Sequence, residues 1–163
     1  MISIIRHMQK NDIIFVQEIA KKSWHQTYEG IIPNEIQDRF IEAAYSSDRL
    51  LSRLENSLFL VAILEESIVG FANFSNVVDG EAELFSIYLL PETQGKGIGT
   101  ALLQGGINML PDLTSLLVSV EKENTIGMNF YQAKGFKKLE EFDELFDGHL
   151  LKTVKLGINY ALA

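Results

Sequence analysis

The stretch PETQGKGIGTALLQ, residues 91–104, sets Gly95, Gly97 and Gly99 at alternate positions directly ahead of a helix-like apolar pattern. Glycines remove the Cβ atoms that would hold a ligand off the backbone, and the first amides of a helix have no internal acceptor. Together they make a site for an anion, above all a phosphate. Upstream, Glu81 and Glu83 stand at i and i+2 and so share one face of a strand. Nearer the N-terminus, Trp24 and Tyr28 lie one helical turn apart with His25 and Glu29 beside them, a set that can hold a cation or simply fill a core. His25 has no second ligand at metal spacing, and His7 and His149 are isolated, so no metal site is expected.

Two common phosphate-binding patterns fit the glycines poorly. The nucleotide P-loop needs a lysine after its second glycine, followed by a hydroxyl residue. Here Lys96 lies between glycines and Ile98 follows Gly97. The dinucleotide fingerprint G-x-G-x-x-G needs Gly or Ala at its sixth position and a place on the first strand of its fold. Position 100 is Thr, and the segment sits at mid-chain.

The elements that must position these residues read as follows. A short β-branched strand covers 2–8, and Asn11 or Asp12 opens a helix with Ile13, Val16, Ile19, Ala20 and Trp24 on one stripe. Gly30 ends it, and Pro33 suits the first position of a second helix carrying Ile36, Phe40 and Ala44. A third helical piece starts at Ser47 or Asp48 and places Leu50, Leu51, Leu54 and Leu58 together. Residues 58–77 form a hairpin turning at Glu65–Ser67, and the strand 81–90 runs into the glycines. A helix to Leu110, a buried strand 115–121 and a helix from Asn124 to near Gly135 follow. Two strands, 136–143 and 149–158, finish the chain around Asp147–Gly148. This order predicts a mixed α/β sheet in one continuous domain over residues 1–163.

Composition narrows the partners. There is no cysteine, which excludes disulfides and thiol nucleophiles and suits a cytoplasmic location. No run of about 18 apolar residues suggests a membrane span, and the opening MISIIRHMQKND lacks a basic leader region and reads as part of the fold. Fourteen Lys and Arg against 22 Asp and Glu give a net charge of −8. That charge keeps the protein soluble, disfavours nucleic acid and anionic membranes, and favours a cationic partner such as an amine.

A third phosphate-binding pattern, [Gln/Arg]-x-x-Gly-x-[Gly/Ala], is met at every specified position by Gln94, Gly95, Lys96, Gly97, Ile98 and Gly99. It resembles the acetyl-CoA pyrophosphate loop of the Gcn5-related N-acetyltransferases (GNAT). Downstream, NTIGMNFYQAKGF resembles that family's second motif, with Asn124, Gly127, Phe130, Tyr131, Gly135 and Phe136 in place. The resemblance implies a mostly antiparallel sheet flanked by helices, with strands four and five splayed apart, and acetyl-CoA as co-substrate. It implies that the amides from Gly95 through Thr100 cradle the pyrophosphate. The backbone of Ile87, Tyr88 and Leu89 would pair with the pantetheine arm, while Asn124 hydrogen-bonds the arm, caps its helix, or does both.

The same resemblance gives Tyr131 as the acid that protonates the departing thiolate, against a plain packing role beside Phe130. It gives Glu83, eleven residues before Gln94, as a base for the amine, against a solvated strand-end carboxylate. Ser119 stands where the branch acetylating ribosomal-protein N-termini carries a glutamate. Trp24, His25 and Tyr28 fall where the acceptor pocket is shaped. The implied activity is direct acetyl transfer to a primary amine of a small molecule, a polyamine or amino compound, or of a basic peptide. A non-catalytic acetyl-CoA-binding sensor and an enzyme for longer acyl groups or hydroxyl acceptors are the rivals. The fold also leaves room for a homodimer through its last strands.

Overall fold

A computed structural model describes residues 3–160. Its elements are β1 (Ile4–His7), α1 (Ile13–Tyr28), α2 (Asn34–Ala44), α3 (Ser47–Asn56), β2 (Leu58–Leu64), β3 (Ser67–Phe74), β4 (Glu81–Leu89), α4 (Ile98–Met109), β5 (Ser115–Glu121), α5 (Thr125–Ala133), β6 (Lys137–Phe146) and β7 (His149–Asn159). Ile2, expected in the first strand, lies outside the described residues. The seven strands form one sheet in the order β1-β2-β3-β4-β5-β7-β6. Every neighbouring pair is antiparallel except β4 and β5.

The periodicities explain the layers. On α1, Ile13, Val16, Ile19, Ala20 and Trp24 are all buried, as the helical stripe requires. With α3 they cover one face of the sheet around Phe59, Val61 and Phe71. Helices α4 and α5 cover the other face, where Leu102, Leu103 and Tyr131 meet Leu84, Leu116, Val118 and Leu156. A third cluster joins Trp24, Tyr28 and Ile32 to Leu151 of β7. Alternation therefore assigns Ala82 and Leu84 to the α4 side and Glu81 and Glu83 to the α1 side.

Several boundaries differ from the sequence reading by a residue or a few. Pro33 precedes α2 as its cap, with the Ile36 and Gln37 amides donating to its carbonyl at 3.0 and 3.1 Å. Helix α3 does start at Ser47 as expected, and Ser46 ahead of it caps it by accepting from the Arg49 amide at 3.2 Å. Leu58 opens β2 opposite Phe74 instead of closing the helical stripe. Strand β6 runs three residues beyond the expected 143, to Phe146, because pairing with β7 continues to His149.

Asp12 does not cap α1 with its side chain. Its buried carboxylate accepts from Arg6 at 2.7 and 3.1 Å and from the Gln9 amide at 2.7 Å, tying β1 to the start of α1. Burial alone would raise the Asp12 carboxyl, but these hydrogen bonds and the Arg6 charge hold it below its ordinary value. A carboxyl held low in the fold binds its proton more readily once unfolded, so its contribution is full above about pH 4 and fades as pH falls further. Asp12→Asn should lower unfolding stability by about 1–3 kcal/mol at pH 7. In urea titrations the gap between variant and wild type should shrink at pH 3; a gap that stayed constant would contradict the ion-pair account.

Candidate active site

Strands β4 and β5 pair only from Glu81↔Ser115 to Leu84↔Val118. Beyond that point β4 stays on β3 to Leu89, while β5 stays on β7 to Glu121. The two part as a V. A bulge starts the parting: Phe74 faces Leu84 and Asn73 faces Ser86, so Phe85 is the extra residue, and such insertions sharpen local twist.

The open edge of β4 carries specific groups. The Leu90 amide donates to the Val69 carbonyl at 2.8 Å. Opposed antiparallel residues alternate between bonded and non-bonded pairs, so Tyr88 turns its N–H and C=O to β3 while those of Ile87 and Leu89 point into the V. The structure thus separates three residues that the sequence had grouped: Ile87 and Leu89 offer backbone, and Tyr88 offers its side chain.

At the wide end of the V stands the N-terminus of α4. Gly95 and Gly97 both hold φ near +80°, and a Cβ on either would meet nothing within 4 Å. Their need for glycine is conformational, and the space above them is free for a ligand. Gly97 occupies the N-cap position with no side-chain cap. The first helical amide with a partner is that of Ala101, which donates to the Gly97 carbonyl at 3.0 Å, leaving the amides of Ile98, Gly99 and Thr100 for an anion. Gly99 has a different role: a Cβ there would lie 3.3 Å from the Phe130 ring, so its absence lets α5 pack against α4.

Opposite stands α5. Asn124 accepts from the Gly127 amide at 3.0 Å, which makes it the cap of this helix. A Cβ at Gly127 would approach Asn124 Nδ2 to 2.7 Å, which explains the small residue at that spacing. Gly135 closes the helix at φ +98°. Tyr131 is buried, edge-on to Phe130 and Phe136 at 5.2 and 5.4 Å between ring centres. Burial, with Tyr28 adding to it, raises its phenol far above the ordinary tyrosine range, so it stays protonated at any working pH. Tyr28 and Tyr88 bring their hydroxyls to 3.4 Å of each other, and burial raises both phenols as well.

These groups line one cleft of about 590 Å³. Ile87, Tyr88, Leu89, Gln94, Gly95, Gly97, Ile98, Gly99, Thr100, Asn124, Tyr131 and Tyr28 all border it, as does Ser119. Gln94 is also tied to α1, where its Nε2 donates to Gln26 Oε1 at 3.2 Å. Five residues singled out in the sequence do not border the cleft. Lys96 is exposed beside the loop. Trp24 is core, its ring 4.5 Å from Tyr28 and stacked 4.4 Å from Phe40, which occupies the faces a cation would need. His25 pairs with Asp38 at 3.2 Å. Glu83 and Glu81 border a neighbouring hollow with Glu140 and Lys155, and Ser119 is the residue shared with the cleft.

Comparison with known proteins decides the family. The profile of the Acetyltransferase (GNAT) family matches residues 16–136. The chain belongs to the GNAT family. It is 31% identical over 141 residues to a spermidine N(1)-acetyltransferase of Thermoplasma acidophilum, covering 82% of this chain and 87% of that one. It is 31% identical over 159 residues to an uncharacterized N-acetyltransferase, YuaI, of Bacillus subtilis, covering 94% and 91%. Its fold matches the crystal structure of PaiA N-acetyltransferase from Thermoplasma acidophilum in complex with coenzyme A, with a TM-score of 0.83, 28% identity, and 98% and 100% of the two chains covered.

This GNAT protein is an acetyltransferase with acetyl-CoA as co-substrate. An open strand edge of amide and carbonyl groups suits an extended amide-bearing arm, and free helix amides suit a pyrophosphate. Among the described residues no helix is long and apolar enough to cross a membrane. Gly97→Ala should weaken coenzyme A at least tenfold by calorimetry. Gly30→Ala imposes a similar left-handed strain at φ +79°, also with open space around it, yet should leave coenzyme A affinity unchanged. Equal losses in both variants would show a folding effect and not a ligand contact.

Proposed function

We propose that this enzyme moves the acetyl group of acetyl-CoA directly to a primary amine of a small cationic acceptor, a polyamine or related amino compound. The observation that carries the reading is the convergence of the open β4 edge, the free amides of α4 and the Tyr131 hydroxyl on one cleft. The thioester supplies an activated acetyl group. Ile87 and Leu89 hold the arm as an added strand would, and the amides from Gly95 through Thr100 hold the pyrophosphate. A Leu89 N–H turned into the V is placed to donate to the oxyanion. Asn124 keeps its capping bond and offers its remaining polar capacity to the arm.

Tyr131 donates its proton to the sulfur as the C–S bond breaks. A high phenol value would make this donation unfavourable toward a solvated thiolate. Here the thiolate forms in the same dry surroundings, which raise its basicity too, so donor and acceptor move together. The amine arrives mostly charged, with an ordinary value near 10.4, and must lose a proton before attack. Ser119 and the neighbouring Glu83 hollow support a route in which water passes that proton from the cleft to a carboxylate.

A small cationic acceptor fits the net charge of −8, and a relative named as a spermidine acetyltransferase supports the class. The test is thiol release from acetyl-CoA against polyamines, amino acids and basic peptides; the chain has no cysteine to add background. Release with polyamines and small amines alone is the expected result, and release with peptides alone would overturn the acceptor class. Tyr131→Phe should lower kcat by about 10²–10⁴ with the KM for acetyl-CoA unchanged. The raised phenol also fixes a sign: wild-type activity should show no descending limb from Tyr131 up to about pH 10, and a limb near pH 9 that vanishes in Tyr131→Phe would refute the assignment.

A further inference from the structure

Two carboxylates are buried among the described residues, Asp12 and Glu121, at 5% and 9% exposure. Asp12 has its counter-charge inside the fold, in Arg6. Glu121 has none. This last residue of β5 accepts one hydrogen bond, from the Glu123 amide to Oε2 at 2.6 Å, and no Lys, Arg or His among the described residues pairs with it. Its neighbour Lys122 is engaged with Glu141 at 2.6 Å. Lys155, on the same face of the sheet opposite Ser119, makes no ion pair among the described residues. A buried charge without a partner is costly to keep, and a protein that keeps one in a net acidic chain holds half of an ion pair.

The position says where the other half comes from. Alternation puts Glu121 on the face of Ser119, which borders the cleft, and Asn124, three residues on, borders it too. Directly across the sheet stands Thr153, whose hydroxyl donates to Glu144 Oε1 at 3.3 Å and leaves Glu121 to itself. Tyr28 is the link to the cleft: it borders the cavity, and the Glu121 charge adds to the rise of its phenol, after burial and Tyr45. Glu121 itself does not border the cavity, so it is not placed to take the proton of the reacting nitrogen.

Resting on the acetyltransferase reading above, we infer that Glu121 is the fixed counter-charge for a second, non-reacting ammonium of the acceptor, reached past the Tyr28 hydroxyl. The reacting nitrogen sits at the thioester as the neutral amine, while the next ammonium along the chain remains charged and pairs with Glu121. The enzyme then selects diamines and polyamines over monoamines, and the selection appears in binding and KM more than in kcat.

The experiment is calorimetric titration of spermidine and of butylamine into the coenzyme A complex of the full chain. Wild type should bind spermidine at least tenfold more tightly than butylamine; equal affinities would overturn the inference whatever the variants do. Glu121→Gln keeps the acceptor oxygen for the Glu123 amide, and should lower spermidine affinity at least tenfold, leaving butylamine and coenzyme A within twofold. Glu121→Asp should recover part of the loss, and Glu55→Gln, which removes an exposed carboxylate on α3, should change nothing. Because Glu121 has no counter-charge among the described residues and Gln keeps the bond from the Glu123 amide, Glu121→Gln should melt no lower than wild type, whereas a purely structural carboxylate would cost stability when replaced. An equal loss for both amines, or a lower melting temperature with selectivity intact, would refute the assignment. Failure of the wild type to bind coenzyme A at all would instead sink the acetyltransferase reading, and that titration is made first and separately.

Discussion

Everything at the site depends on β4 losing its second neighbour after Leu84. A central strand normally has both edges paired, because buried amide and carbonyl groups without partners are expensive. Here the bulge at Phe85 and the commitment of β5 to β7 leave the Ile87 and Leu89 groups facing a wedge in the sheet. Water or a strand-like ligand must satisfy them. The helices at the wedge follow from the same opening. Gly99 lets Phe130 approach, so α4 and α5 meet across the mouth, and each turns its N-terminal end to the cleft.

Charge works on two scales in this molecule. A net charge of −8 repels the phosphates of coenzyme A at long range. That field is screened beyond about 8 Å at physiological ionic strength. Within a helical turn, the unpartnered amides of Ile98, Gly99 and Thr100 present fixed positive ends that the net charge does not cancel. An anion held at these amides would therefore be recognised locally and through backbone, while the acidic side chains remain available for a cation. Among the described residues no lysine or arginine borders the cleft.

The parts of this site that depend on local chain geometry were legible in the sequence. Left-handed turns at Gly95 and Gly97, the Asn124 cap and the Gly135 closure each involve residues within a few positions of one another, so their spacing is their signature. Parts fixed by distant contacts were not legible. For Trp24 the sequence left both a cation site and a core role open, because nothing nearby in sequence says that Phe40 and Phe146 lie against it. Glu83 shares a face with Ser86 and Tyr88, yet it lies before the bulge, where the strands are still paired, and falls in the adjoining hollow. In VSVEKEN nothing marks Glu121 among three nearby charged residues. It pairs with Thr153 of β7 across the sheet, a contact that no spacing rule records.

The two ends of the cleft are consequently built by different means. The end bordered by residues 94–100 and 124–131 rests on two contiguous motifs. At the end bordered by Tyr28, α1 and α2 dock on the β6–β7 turn. Arg39 holds Asp147 at 2.7 Å, the His149 ring meets the Ile31 carbonyl at 3.0 Å, and Phe146 packs against Phe40 at 5.2 Å. Gln37, fully buried, donates to the Tyr28 and Ile32 carbonyls and fixes the turn between the helices. The three contacts to the β6–β7 turn join residues more than a hundred positions apart, while Gln37 acts within the α1–α2 segment, and together they position Tyr28 at the edge of the cleft. Small adjustments of this docking therefore move the Tyr28 end of the cleft without touching the two motifs at its other end.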